Sequence, residues 1–134
     1  MRRLLIISML TLSLTSQVLI PAQAEGDAVA GAKIYLKCRS CHILEQPTNR
    51  MGPHLMQLLG RKAGSVEGFQ YSPAMTEAGK TGLIWDEKNL KAFLTSPKTM
   101  IPGTSMRFWG LWEGQIDDLT AYLREQSQMK PAED

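Results

Sequence analysis

The chain has 134 residues, 43% of them hydrophobic and 21% charged, with 11 glycines, 7 prolines and a formal charge of +2. That length suits one domain, or one domain behind a leader. Ordinary globular composition excludes wholesale disorder, a collagen-like chain and a polytopic membrane protein, and two cysteines are too few for a dense disulfide scaffold.

Residues 1–24 read as a cleaved secretory signal peptide. Arg2 and Arg3 form the positive start, an apolar stretch from Leu4 to Leu14 follows, and Ala22-Gln23-Ala24 supplies the small-x-small cleavage site, with the mature start at Glu25. The rival reading is an uncleaved anchor. Leu4–Ile20 is diluted by Ser, Thr and Gln and falls short of the ~20 apolar residues of a span. The leader predicts export to the periplasm, an oxidising compartment, with no stable membrane insertion after cleavage. Its removal takes Arg2 and Arg3 and cancels the formal charge of +2. No Lys/Arg run longer than two remains, so nucleic acid is not an expected partner.

The first predicted helix runs from about Asp27 to Cys41. Asp27 caps it, and Val29, Ala32, Tyr35 and Leu36 lie near one apolar face. It ends in the most informative stretch of the chain, Cys38-Arg39-Ser40-Cys41-His42. C-x-x-C-H is the spacing of c-type haem attachment. Two thiols three positions apart can each form a thioether with one haem vinyl group, and the tether brings the imidazole of His42 under the ring. The rival readings are a redox disulfide, a zinc site and an inert disulfide. No βαβ pattern surrounds the pair, and the only histidines are His42 and His54. A second axial donor would come from His54 or from one of Met51, Met56, Met75, Met100, Met106 and Met129. The ordinary role of a methionine is core filler.

A second, short helix is predicted over Ser72–Ala78, with Ser72 as cap, Pro73 at the first position and Gly79 as the stop. A third spans Asp86–Thr95, carries Leu90, Phe93 and Leu94 at helical spacing and is ended by Pro97. The fourth spans about Glu113–Gln126, with Ile116, Leu119, Tyr122 and Leu123 as its stripe and Glu113, Asp117 and Asp118 near the positive end of its dipole. Sustained strand alternation is absent, so the fold class is all-α. The loops Gln46–Pro53, Gly60–Gly68 and Ser96–Gly103 are dense in Gly and Pro and need something to pack on; a haem would serve. Trp109 and Trp112 are expected in the core, as large aromatics usually are; the alternative is an apolar docking patch. Residues 130–134 read as a frayed tail.

From Gly26 to about Gln126 the chain resembles class I cytochrome c, on residues that keep the family's order. Gly31 and Tyr35 stand before Cys38 as the family's small residue and aromatic do, and Tyr122 resembles their partner on the last helix. Gly52-Pro53 resembles the Gly-Pro whose proline carbonyl accepts from the ligand histidine. Gly60-Arg61-Lys62, Gly68-Phe69-Gln70-Tyr71 and Ile84-Trp85-Asp86 resemble the segments whose Arg, Tyr and Trp serve the haem propionates. Ser96-Pro97-Lys98-Thr99-Met100-Ile101-Pro102-Gly103-Thr104-Ser105-Met106 resembles the loop whose last Met is the sixth ligand, which implies Met106 and leaves Met100 to packing. Phe108 resembles an aromatic near the haem edge. On the same likeness His54 is an exposed or hydrogen-bonded loop residue.

The chain departs from the family at Phe93, where many members have a Tyr that bonds the Met sulfur. It departs again at Met75 for a common Asn, at Ser105 for a common Lys, and in a thin basic front face of Lys37, Lys98 and Arg107. The resemblance implies a cytochrome c fold of four to five short helices and long loops around one haem c, bound through Cys38 and Cys41 and ligated by His42 and Met106. It implies an electron carrier and not an enzyme, a monomer that meets transient partners: membrane cytochrome complexes, oxidases or periplasmic dehydrogenases. The alternatives are the haem electron-entry subunit of a specific oxidoreductase complex and a small peroxidase or ligand sensor.

Overall fold

A computed structural model describes residues 26–128; the expected signal peptide with Glu25 after it, Met129 and the expected tail 130–134 lie outside the described residues. Five helices follow in chain order: α1 (Ala28–Tyr35), α2 (Pro73–Lys80), α3 (Glu87–Thr95), α4 (Pro97–Met100) and α5 (Glu113–Gln128). Among the described residues the only β feature is one antiparallel bridge between Lys62 and Ile84, so the all-α expectation holds. No helix among them is long and apolar enough to cross a membrane.

The expected caps form. Asp27 accepts from the amides of Val29 and Ala30, Ser72 from Met75 and Asp86 from Asn89, each meeting an orphan donor of a first turn. The far ends differ from expectation. α1 stops at Tyr35 instead of Cys41, because the carbonyls of Tyr35 and then Cys38 are each shared by the amides three and four residues on. These bonds tighten the chain into turns, as at many helix ends. Gly79 does not stop α2. It is buried inside the helix, where a Cβ would lie 2.0 Å from the Ala63 carbonyl oxygen. The left-handed residue after the helix is Gly82, at φ +100°. α4 forms within the expected loop Ser96–Gly103, opened by Pro97 at its first position. α5 runs two residues past its expected end.

The frame is the crossing of α1 on α5. A Cβ on Gly31 would lie 2.0 Å from the Asp118 carbonyl oxygen and 2.8 Å from Tyr122 Cβ, so only glycine lets the backbones approach this closely. Beside it the Tyr35 and Tyr122 rings pack with centroids 5.7 Å apart, and the Asp27 amide donates to the Asp118 carboxylate at 2.8 Å. α3 is tied to α5 by Lys91, 2.8 Å from Glu113 and 2.9 Å from Asp117, and by Glu87 with Arg124. Ile116 and Leu119 of α5 are fully buried between them.

Trp109 and Trp112 overturn the core expectation: they are 99% and 83% exposed. The residues between them are the anchored ones. Gly110 lies against the Thr95 carbonyl, and buried Leu111 donates its amide to Leu94 O at 2.9 Å. The pinned centre leaves both flanking indoles in water.

Candidate cofactor site

The helices and loops enclose a cavity of about 590 Å³ that opens to solvent, within the ~300–1,000 Å³ usual for cofactor sites. All eight residues expected to serve the cofactor line it. Cys38, Cys41, His42 and Pro53 come from the turns after α1 and the loop beyond them; Arg61, Tyr71, Trp85 and Met106 come from later loops. Leu58, Met75, Leu90, Phe93, Leu94 and Leu119 form much of the apolar wall.

Cys38 and Cys41 are free, half-buried thiols held one turn apart by the Cys41 amide on the Cys38 carbonyl, 3.1 Å. His42 follows on the same turn. Its Nδ1 lies 2.7 Å from the Pro53 carbonyl oxygen. A carbonyl only accepts, so Nδ1 carries the proton and Nε2 keeps its lone pair for a metal. Burial, helped by the charge of Arg61, holds the imidazole pKa below its ordinary value, against the opposing hydrogen bond to Pro53. The ring is therefore kept in the neutral, ligating form. Gly52 presses on its other side: a Cβ there would lie 2.2 Å from His42 Cε1. That contact joins residues ten apart in the chain, and no spacing rule signals it.

Met106 ends the loop that leaves α4. Gly103 turns the chain at φ +91°, and the Met106 amide donates to Thr104 Oγ1 at 3.3 Å. Of the other expected donors, Met51 and Met75 also line the cavity, Met51 against Cys41 and Met75 buried on α2. Met100 packs against the core beside Ile101 and does not line the cavity.

Arg61 spends two of its N–H groups inside the protein, on the carbonyls of Met56 at 3.0 Å and His54 at 2.9 Å. The Tyr71 hydroxyl accepts from the Val66 amide at 3.3 Å, which leaves its own proton to donate. Burial raises the Tyr71 pKa and keeps that proton in place. Trp85 is buried on Phe93, ring centroids 5.0 Å apart. The bridge at Lys62 and Ile84 sets Trp85 beside Arg61 through a 2.9 Å backbone bond. His54 is the hydrogen-bonded loop residue expected: its amide donates to Asn49 Oδ1 at 3.1 Å and its carbonyl accepts from Arg61. It is half-buried, its Nδ1 has no partner among the described residues, and it lines a separate hollow with Met56, Gln57 and Arg61.

Lys37, Arg61 and Arg107 line the main cavity and, among the described residues, no Asp or Glu does, which suits a flat apolar group with an anionic edge. Two thiols at one wall, a neutral imidazole beside them, thioethers in the lining and hydroxyl, indole and guanidinium donors fit haem c. No family model matches the chain. It is 45% identical over 102 residues to cytochrome c2 of Afifella marina, covering 74% of this chain and 82% of that protein. It is 40% identical over 124 residues to cytochrome c-554 of Methylosinus trichosporium, covering 89% and 92%. Among solved structures, cytochrome cH from Methylobacterium extorquens superposes with a TM-score of 0.67 at 41% identity, over 75% of this chain and 99% of that one. Sequence, fold and the cysteine pair that attaches haem c agree, and the chain belongs to the class I cytochromes c, electron carriers and not enzymes.

Proposed function

We propose that His42 and Met106 would ligate the iron of the single haem c, and that the chain is exported to the periplasm and passes single electrons between larger redox complexes there. The observation that carries this reading is the 2.7 Å bond from His42 Nδ1 to the Pro53 carbonyl, which aims a neutral imidazole into the one cavity that Cys38, Cys41 and Met106 share. Haem bound there supplies a one-electron Fe(III)/Fe(II) couple. The chain's own residues set its character. Pro53 holds the His42 tautomer and raises its basicity. Met106 offers an uncharged soft thioether, which favours the less charged oxidation state and raises the potential. Arg61, Tyr71 and Trp85 present donors to the propionates. With His42 and Met106 both engaged, no protein-free position would be left for oxygen or peroxide, which would suit electron transfer without substrate binding.

The Met106→Ala holoprotein tests the assignment. Its potential should fall by on the order of 0.1 V, within the ~0.8 V that axial ligation spans. The weak far-red sulfur-to-iron band of the oxidised form should vanish, and imidazole should bind at neutral pH without denaturant. An unchanged spectrum and potential would reject Met106.

A further inference from the structure

Trp109 and Trp112 take no part in the cavity, yet the fold holds them out. Gly110 sits at φ +111°, a conformation that suits glycine, and a Cβ there would lie 2.2 Å from the Thr95 carbonyl oxygen. Leu111 is buried and bonded to Leu94. The loop is thus clipped to the C-terminal end of α3 between the two indoles, and their backbone is set in advance. Arg107 and Phe108, just before them, line the cavity. Trp109 is therefore ~3.8 Å, Cα to Cα, from a residue of the cavity wall. A partner seated over this part of the cavity rim would meet this loop.

Charge and area indicate what kind of partner that is. Lys37 and Arg107 are exposed on the cavity rim, and no acidic side chain joins the lining. Glu113, next to Trp112, is engaged by Lys91 at 2.8 Å. Electron-transfer encounters bury less than ~1,200 Å² in total, and one aromatic side chain can bury ~150–250 Å². Two indoles would fill a large share of one side of so small an interface. Their few rotatable bonds make them low-entropy anchors, and Trp is enriched among residues that dominate binding.

We propose that Trp109 and Trp112 are the aromatic anchors by which this carrier docks on a redox protein that presents an apolar recess rimmed with acidic side chains beside its own redox centre. The inference rests on the carrier function and adds to it the recognition chemistry. Affinity then has two parts, a basic rim that salt screens and an indole contact that salt does not.

The test follows oxidation of the reduced holoprotein by membranes of the cell that makes it, at low and high ionic strength. Trp109→Ala and Trp112→Ala should each raise KM about thirtyfold at both salt concentrations, the scale of one binding hot spot. Their kcat, visible spectrum and potential should not change. Arg107→Ala should raise KM at low salt only. Unchanged KM in both Trp variants, with wild-type turnover intact, would overturn the anchor and leave the carrier function standing. Failure of the wild-type holoprotein to be oxidised would instead remove the carrier premise. Wild-type binding to protein-free phosphatidylcholine and phosphatidylglycerol vesicles, lost in the Trp variants, would assign the indoles to a lipid surface and overturn the protein-docking proposal.

Discussion

At the scale of single residues, the imidazole of His42 is held between a carbonyl and a missing side chain. Pro53 accepts its Nδ1 proton, and Gly52 clears the space that its Cε1 and Nδ1 occupy. Gly52→Ala would put a methyl 2.2 Å from Cε1, so either the ring or the backbone that carries Pro53 must shift. We expect the holoprotein to lose about 1–3 kcal/mol, as overpacked sites do. Denaturant unfolding checks it, and a variant of native stability would refute the two-sided clamp. The motif Cys38-x-x-Cys41-His42 is legible in sequence because its chemistry is local: two thiols and an imidazole must fall within one turn. Pro53 and Met106 are legible only through resemblance to a family. The contact of Gly52 with His42 and the unpartnered Nδ1 of His54 arise from folding distant loops together, and no local pattern encodes them.

At the scale of helices, the crossing of α1 on α5 depends on backbone contact at Gly31. A Cβ there meets the Asp118 carbonyl oxygen at 2.0 Å, and parting the helices would also strain the bond from the Asp27 amide to the Asp118 carboxylate. Gly31→Val should therefore cost at least ~1–3 kcal/mol, read as a lower midpoint in urea. Tyr35, packed on Tyr122 at the same crossing, adds a pH dependence. Burial first, then the charge of Glu45 and the neighbouring Tyr122, pushes its pKa from 10.0 to about 12. The folded state then binds more protons than the unfolded state across that interval. Stability from this group is complete below pH 10 and is lost as pH rises toward 12. Tyr35→Phe should flatten that part of the alkaline unfolding profile, and an unaltered slope would count against the burial. Caps were legible at Asp27, Ser72 and Asp86, since a cap is a local bond. Helix ends were less so: Gly79 has the composition of a stop but is small to fit Ala63, a reason that exists only in three dimensions.

At the scale of the whole molecule, the core and the cofactor site are one surface. Leu58, Met75, Trp85, Leu90, Phe93, Leu94, Leu119 and Leu123 are buried, and each also lines the cavity of about 590 Å³. The long Gly- and Pro-rich loops are legible from composition as needing a packing partner, and they close around this space in place of a conventional apolar centre. The consequence is a dependence of folding on the covalent tether. At ~24 cal/mol per Å³, leaving a space of this size unfilled scales to an upper figure of roughly 14 kcal/mol. That is comparable to the entire ~5–15 kcal/mol by which a domain is ordinarily stable. The Cys38→Ser, Cys41→Ser double variant, which forms no thioether, should show much reduced helical circular dichroism and no cooperative thermal transition when purified without haem. Replacing the same two thiols changes little else, since both are half-exposed and neither forms a disulfide. A cooperative melt with native near-ultraviolet signal in that variant would show that the walls hold themselves together, and that haem is a guest in a finished fold and not its core.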